Sequence, residues 1–312
     1  MALLSQVGTR AVAAPGKLKK ASAVERRGSH PPADPRTGLL LPPLVALRNA
    51  SARGDRVEIG RLAERFGPAR LQELLRDRDP ATVAAALDAT TALEGNIRLL
   101  PAVTRVLTAG DAKLRLKAAG TIGTLLRADL LDKAFEWEIP RSEISAACGA
   151  LAQMADVTAA PVATRVAALE ALAEAYAFCR INIPLGTLSE DVWPEVRRAA
   201  LLTPQIVRVR SIAAIGEMSE DQVPMVASAA AATWCQHRLG SLQSEGLLGD
   251  AKARLRRMRV LVLMDAVPSE DTAEMLPCLA LSKDPEDKRA FEVARGRVTG
   301  GPRPAADPGP KR

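Results

Sequence analysis

Three segments of the sequence share one arrangement of side chains, and this arrangement limits the available folds more than any other feature. In each segment an arginine is followed by apolar residues at the fourth and seventh positions, a small residue at the eighth and a polar residue at the ninth. On a helix, with about 100° per residue, the arginine lies in the apolar half and the polar residue lies opposite. The segments are KLRLKAAGTIGTLL (113–126), ATRVAALEALAEAY (163–176) and IVRVRSIAAIGEM (206–218).

A helix of this kind has a wide apolar arc, so more than one neighbouring helix must cover it. Stacked helix pairs meet that requirement, because one helix of each pair packs on its partner and on the pairs before and after it. We expect Arg115, Arg165 and Arg208 to be structural, with packed stems and with guanidinium groups that reach carboxylates or helix-end carbonyls of a neighbour. The small eighth residue permits close helix approach, and Asp111 is expected to cap or pair with the helix of Arg115.

The three segments resemble the HEAT repeat family through the phrases LRLKAAGTIGTL, TRVAALEALAEA and VRVRSIAAIGEM. The phrases DPATVAAALDA, PEVRRAALL and DPEDKRAFEVA resemble the opening of the second helix of a HEAT repeat. The resemblance covers roughly residues 55–295, and the three arginines are 50 and 43 residues apart, near the ~40–47 residue period of such repeats. It implies an all-α fold, a right-handed α-solenoid of about five or six helical hairpins.

The composition is typical of a helical protein, and the positive charge is concentrated at the two ends of the sequence. Apolar residues make up 47% of the sequence and aromatic residues only 3%, which suits closely packed helices. The net charge is +7, but residues 1–36 carry +5 and residues 295–312 carry +4, so the body is near neutral. We therefore predict a disordered basic leader (1–37), a HEAT-like repeat domain (38–295) and a disordered Pro/Gly-rich tail (296–312).

The four cysteines are far apart in the sequence, and each has apolar neighbours: Cys148, Cys179, Cys235 and Cys278. The sequence has no CxxC pair, so we expect buried reduced thiols and a reducing compartment, which predicts a cytoplasmic protein. No run of 18 apolar residues predicts a membrane span.

The sequence offers no constellation of residues for catalysis. Its two histidines, His30 and His237, are isolated, and neither a paired-histidine motif nor a Cys/His cluster is present. A P-loop and a GxGxxG motif are also absent. We predict that the protein is not an enzyme and needs no cofactor or metal.

The candidate binding residues lie in two lengthened connections and in one basic helix. The segments DLLDKAFEWEIPRSE and CRINIPLGTLSEDVWPE contain Trp137 and Trp193, which either anchor a partner or fold back over helix ends. The segment KARLRRMR forms a basic cluster that is either a solvated helix face or a docking patch for an acidic protein or phosphate groups. Its basic residues are Lys252, Arg254, Arg256, Arg257 and Arg259.

These observations favour a non-enzymatic scaffold or adaptor that binds another protein of unknown identity. One alternative is a nucleic-acid-binding protein that uses the basic ends and residues 252–259. Another alternative, implied by the resemblance to HEAT-like proteins, is an accessory subunit similar to a bilin lyase.

Overall fold

The computed structural model describes residues 42–93, 96–127, 139–179, 185–204, 206, 210–247 and 249–300. The predicted leader, Trp137, Arg208 and residues 301–312 of the predicted tail lie outside the described residues. None of the described residues lies in a β-strand, so this part of the chain is all-α, as predicted. Within the described ranges, every helix is either too short or too polar to span a bilayer.

The helices are short to medium in length and follow one another through brief connections. The last of them ends at Val298, a little beyond residue 296, where the sequence analysis places the start of the tail. Their bounds are α1 Pro42–Arg53, α2 Arg56–Leu74, α3 Pro80–Ala92, α4 Leu100–Ala109, α5 Ala112–Leu125, α6 Arg141–Asp156, α7 Val162–Glu174, α8 Leu185–Leu188, α9 Pro194–Leu202, α10 Ile212–Glu217, α11 Pro224–Glu245, α12 Ala251–Leu263, α13 Ser269–Leu279 and α14 Pro285–Val298.

Proline and aspartate set the starts of several helices. Pro80, Pro194 and Pro285 occupy the first turn of α3, α9 and α14, where the missing N–H of proline costs nothing. Asp111 caps α5, because its Oδ1 atom accepts a hydrogen bond from the backbone N–H of Leu114 at 2.9 Å. The predicted capping role of Asp111 is therefore confirmed.

The helices pack in an alternating order. α1, α3, α5, α7, α9, α11 and α13 form one row in which each helix contacts the next. The helices between them pack alongside this row: α2 on α3, α4 on α5, α6 on α7, α10 on α11 and α12 on α13. Buried apolar side chains form two clusters, and α11 contributes to both of them, so the row has a shared interior.

Helix α5 has the packing that the arginine pattern predicts. It is covered by α3, α4 and α7, and Ala118, Ala119 and Ile122 are fully buried. Gly123, the small residue at the eighth position, lies so close to α7 that a Cβ atom there would be 3.0 Å from the Cα atom of Ala171. The small residue therefore permits the close approach of two helices, as expected.

Truncating Ile122 should distinguish the buried from the solvated side of α5. We expect Ile122→Ala to lower the free energy of unfolding by about 2–5 kcal/mol, because the side chain is fully buried. Thr124→Ala should change it by no more than about 0.5 kcal/mol, because among the described residues the threonine hydroxyl donates only to the carbonyl of Gly120 in its own helix. Chemical denaturation of both variants measures the difference, and two equally mild effects would show that the assignment of the faces is wrong.

The cysteines are buried as expected, but the prediction of reduced thiols is wrong. Cys148 of α6 forms a disulfide with Cys179, which follows α7, and Cys235 of α11 forms one with Cys278 of α13. The Cα atoms are 5.4 and 5.9 Å apart, within the range that a disulfide bridges. Helix packing brings together residues 31 and 43 positions apart, which spacing in the sequence alone does not reveal.

Candidate functional site

The basic residues of segment 252–259 lie on α12, and two of them serve a neighbouring helix end. Arg254 donates from Nη1 to the carbonyl oxygen of Gly216, and Arg257 donates from Nε to the carbonyl oxygen of Ser219 at 2.8 Å. These carbonyls belong to α10 and to the short 3-10 turn that follows it. Such carbonyls carry the negative end of the helix dipole, so both arginines stabilise the fold.

Arg259 faces the start of the next helix in the same way. Its Nη1 atom lies 2.7 Å from Oε2 of Glu286 and 3.2 Å from Oδ1 of Asp287, both in the first turn of α14. Arg254, Arg257 and Arg259 are therefore committed to contacts within the chain. Carboxylates and carbonyl groups of neighbouring helices therefore compensate much of the positive charge on α12.

Lys252 and Arg256 differ from the other three, because both are exposed. They line a cleft of about 700 Å³ together with Lys283, which precedes α14 and is also exposed. Among the described residues, none of these three side chains forms an ion pair, although Arg256 donates from Nε to the carbonyl of Lys252 at 3.4 Å. The cleft therefore has three cations on its rim that are available to a ligand.

The floor of this cleft is apolar. Leu242 at the end of α11 and Leu255 of α12 are buried beneath it, while Leu247 and Leu281 are only partly buried. Gly246 ends α11 with a φ of 81°, a conformation that glycine adopts without strain, and so turns the chain around the cleft. The result is an apolar floor with a positively charged rim.

Two carboxylates also line the cleft, but both have partners within the protein. Asp287 is 3% exposed, and it accepts hydrogen bonds from the hydroxyl of Ser282 at 2.7 Å and from Arg259. Asp284 caps α14 and accepts from the backbone N–H of Glu286 at 2.9 Å. Neither carboxylate forms an ion pair with a rim cation among the described residues, so the rim keeps its positive character.

Trp193 lies on a different part of the chain, at the start of α9. The residue is 50% exposed, and the preceding Val192 is 81% exposed. The backbone N–H of Trp193 donates to Oδ1 of Asp191 at 3.0 Å, which fixes the connection that carries the tryptophan. The structure therefore presents Trp193 to solvent and does not place it in the cleft.

Arg165 supports this connection from beneath and is itself 1% exposed. Its Nε atom donates to the carbonyl of Ala155 in the last turn of α6 at 2.8 Å, and its Nη2 atom donates to Oδ2 of Asp191 at 2.5 Å. Arg165 thus makes the two kinds of contact expected of it, one to a helix-end carbonyl and one to a carboxylate. Burial alone would raise the pKa of Asp191, but the hydrogen bonds from Arg165 and Trp193, together with the positive charges of Arg165 and Arg197, outweigh burial and lower the pKa.

Arg115, the first arginine of the pattern, differs from Arg165. It is partly buried on α5, and its Nε atom lies buried without a hydrogen-bond partner among the described residues. The guanidinium contact predicted for Arg115 is therefore not fully made in this structure.

A second hollow, of about 280 Å³, lies between α7, α9 and α11 and is bordered by acids. Glu170 and Glu195 line it together with Arg198. Burial, and secondarily the charge of Glu174, raises the pKa of Glu170. On α13, burial also raises the pKa of Glu274, with a further contribution from Asp271. An acidic surface of this kind repels phosphate groups.

Sequence reasoning missed Lys283 and the leucines of the cleft, as well as a buried link between distant helices. Asp271 is 2% exposed and accepts from both Nη atoms of Arg198 and from the hydroxyl of Ser228 at 2.5 Å. This link joins α9, α11 and α13 across as many as 73 residues. The only local signal for Lys283 is its place in the short connection before the Asp-Pro start of α14.

The described residues contain no group of three or more histidine, cysteine, aspartate or glutamate side chains placed to bind a metal ion. Comparisons with protein-family models, with curated proteins and with solved structures each returned no match.

Proposed function

We propose that this chain is a HEAT-like α-solenoid that binds another protein as a non-enzymatic scaffold or adaptor. Three features support the proposal. Alternate helices contact one another from α1 to α13, Arg165 fills the structural position that the repeat pattern gives it, and Gly123 permits close helix packing. The right-handed turn and the count of five or six hairpins belong to the same proposal.

The observation that carries the binding role is the exposed pair Val192 and Trp193. A half-exposed tryptophan beside a fully presented valine is costly to leave in water, and tryptophan is enriched among the residues that dominate protein interfaces. The connection beneath is held by Asp191 and the buried Arg165, so the tryptophan is preorganised for a partner.

Affinity capture from the native host, followed by mass spectrometry, tests this role. We expect a specifically retained protein whose recovery falls strongly with Trp193→Ala. The matched control is Val57→Ala on α2, because Val57 is 85% exposed and lies far from α9 in the sequence. Equal recovery with both variants, or no specifically retained protein, would contradict the proposal.

The nucleic-acid alternative has less support, because Arg254, Arg257 and Arg259 are committed to contacts within the protein. A mobility-shift assay with generic DNA and RNA tests it, since each phosphate contact adds about −0.9 to the log–log slope of affinity against salt. A flat response excludes nucleic acid. The alternative of a bilin-lyase-like subunit stays a prediction, and no described residue favours it.

The cytoplasmic location predicted from the sequence rested on reduced cysteines. The two disulfides remove that support, since disulfides persist mainly in oxidising compartments. The proposed scaffold function does not depend on the compartment.

A further inference from the structure

We infer that the cleft between α11, α12 and the α13–α14 connection is a second contact surface, and that it binds a short acidic segment of a partner protein with apolar anchor residues. The inference rests on the proposed protein-binding function and names the chemistry of the partner at this surface. Its basis is the combination of partly buried leucines, Leu247 and Leu281, with the exposed cations Lys252, Arg256 and Lys283.

The charge of the cleft selects the sign of the ligand. Lys252, Arg256 and Lys283 have no ion-pair partner among the described residues, whereas the lining carboxylates are held by groups of the protein itself. An acidic segment would gain these three cations as partners, and a basic segment would be repelled. Charge complementarity of this kind raises the association rate and excludes partners of the wrong sign.

The apolar floor argues against a phosphate backbone as the ligand. Single-stranded nucleic acids bind to grooves that combine cations with aromatic side chains on which bases stack, and none of the described residues that line this cleft is aromatic. Leu247 and Leu281 instead offer surface to aliphatic side chains, which a peptide supplies at regular intervals. The volume of about 700 Å³ is adequate for a few such residues.

Peptide selection followed by binding measurements tests the inference. A random library of peptides, each about 12 residues long, is selected against the full-length protein, and an enriched peptide is labelled with fluorescein for anisotropy. We expect enriched peptides with a net negative charge and at least two large apolar residues. The Kd should rise by at least about tenfold in the double variant Lys252→Glu, Lys283→Glu, because two cations that attract the acidic peptide are replaced by anions that repel it.

Lys113→Glu is the matched control, because Lys113 is exposed in the first turn of α5, on a helix that does not line the cleft. It reverses the charge of one exposed lysine away from the cleft, so we expect less than about a twofold change in Kd if the cleft is the site, and each single variant, Lys252→Glu or Lys283→Glu, should exceed it. Circular dichroism melting of each variant checks that the fold is kept, which we expect because all three lysines are exposed.

Several results would overturn the inference. These are a failure to enrich any peptide, enriched peptides without the acidic and apolar composition, and equal weakening by the cleft and control variants. Competitive displacement of the peptide by dodecanoate at equal affinity would assign the cleft to small amphiphilic anions instead. If a host protein is captured through Trp193 but binds the Lys252→Glu, Lys283→Glu variant normally, the scaffold function stands and only this inference fails.

Discussion

The Arg165→Met variant should lose about 3–5 kcal/mol of unfolding free energy, which is among the largest effects expected for a single substitution in this chain. Arg165 is 1% exposed, and its guanidinium is the donor for the carbonyl of Ala155 and for both carboxylate oxygens of Asp191. Methionine fills similar space but donates no hydrogen bond, so a nearly buried carboxylate and a carbonyl lose their partners. Urea denaturation followed by circular dichroism measures the loss.

Two comparisons separate the buried contact from a general effect of removing charge. Arg48→Met is the control, because Arg48 pairs with Asp79 at 2.8 Å while its side chain is still 30% exposed, and we expect a loss of about 1 kcal/mol or less. The double variant Arg165→Met, Asp191→Asn should lose less than the sum of its two single variants, since the unpaired carboxylate is gone. If Arg165→Met loses as little unfolding free energy as Arg48→Met, the prediction is wrong and the Arg165 side chain points to solvent.

The role of Arg165 could be read from the sequence because it depends on local periodicity. Residues four, seven and eight positions after an arginine lie on its side of a helix whatever surrounds that helix. An arginine within an apolar arc must then find acceptors on a neighbour, which Arg165 does. The same reasoning placed Ile122 in the interior, Gly123 at a close helix contact and Asp111 at a helix start.

The candidate site could be predicted only in part, because it depends on which helices meet. Periodicity shows that Arg254, Arg256 and Arg257 share a basic helix, but it does not show that α10 presents carbonyls to Arg254 and Arg257. The neighbours decide which cations are used internally and which are left for a ligand. Arg256 and Lys283, about one helix pair apart in sequence, meet in the cleft only because α14 begins beside α12.

Distance in the sequence explains the other misses. The carboxylate of Asp271 and the guanidinium of Arg198 are 73 residues apart, and the paired cysteines are 31 and 43 residues apart. In a row of stacked helices, a side chain can meet residues of helices that lie one or two pairs later in the chain. Predicting contacts at that range requires the order and register of the helices, and the sequence of each single helix does not specify these.

Removing the Cys235–Cys278 disulfide should lower the unfolding free energy by about as much as Arg165→Met does, but through a different mechanism. With a loop of 43 residues, the chain-entropy model gives about 4 kcal/mol for the double variant Cys235→Ala, Cys278→Ala. The loss arises mainly in the unfolded chain, which regains the freedom that the crosslink removes. We expect the variant still to fold, because Asp271 joins α11 and α13 through Ser228 independently of the disulfide. Denaturation in urea, with and without reductant, measures the effect.

Comparing denaturation with and without reductant separates the effect of the disulfide bond from the effect of replacing two cysteine side chains. In denaturant with reductant, the wild-type protein should unfold with nearly the same free energy as the variant, because its unfolded chain is no longer crosslinked. Unfolding in iodoacetamide without reductant provides the direct check on all four cysteines. A disulfide-bonded protein takes up no label, whereas four labels per chain would show free thiols and would remove the entropic contribution on which the expected loss depends.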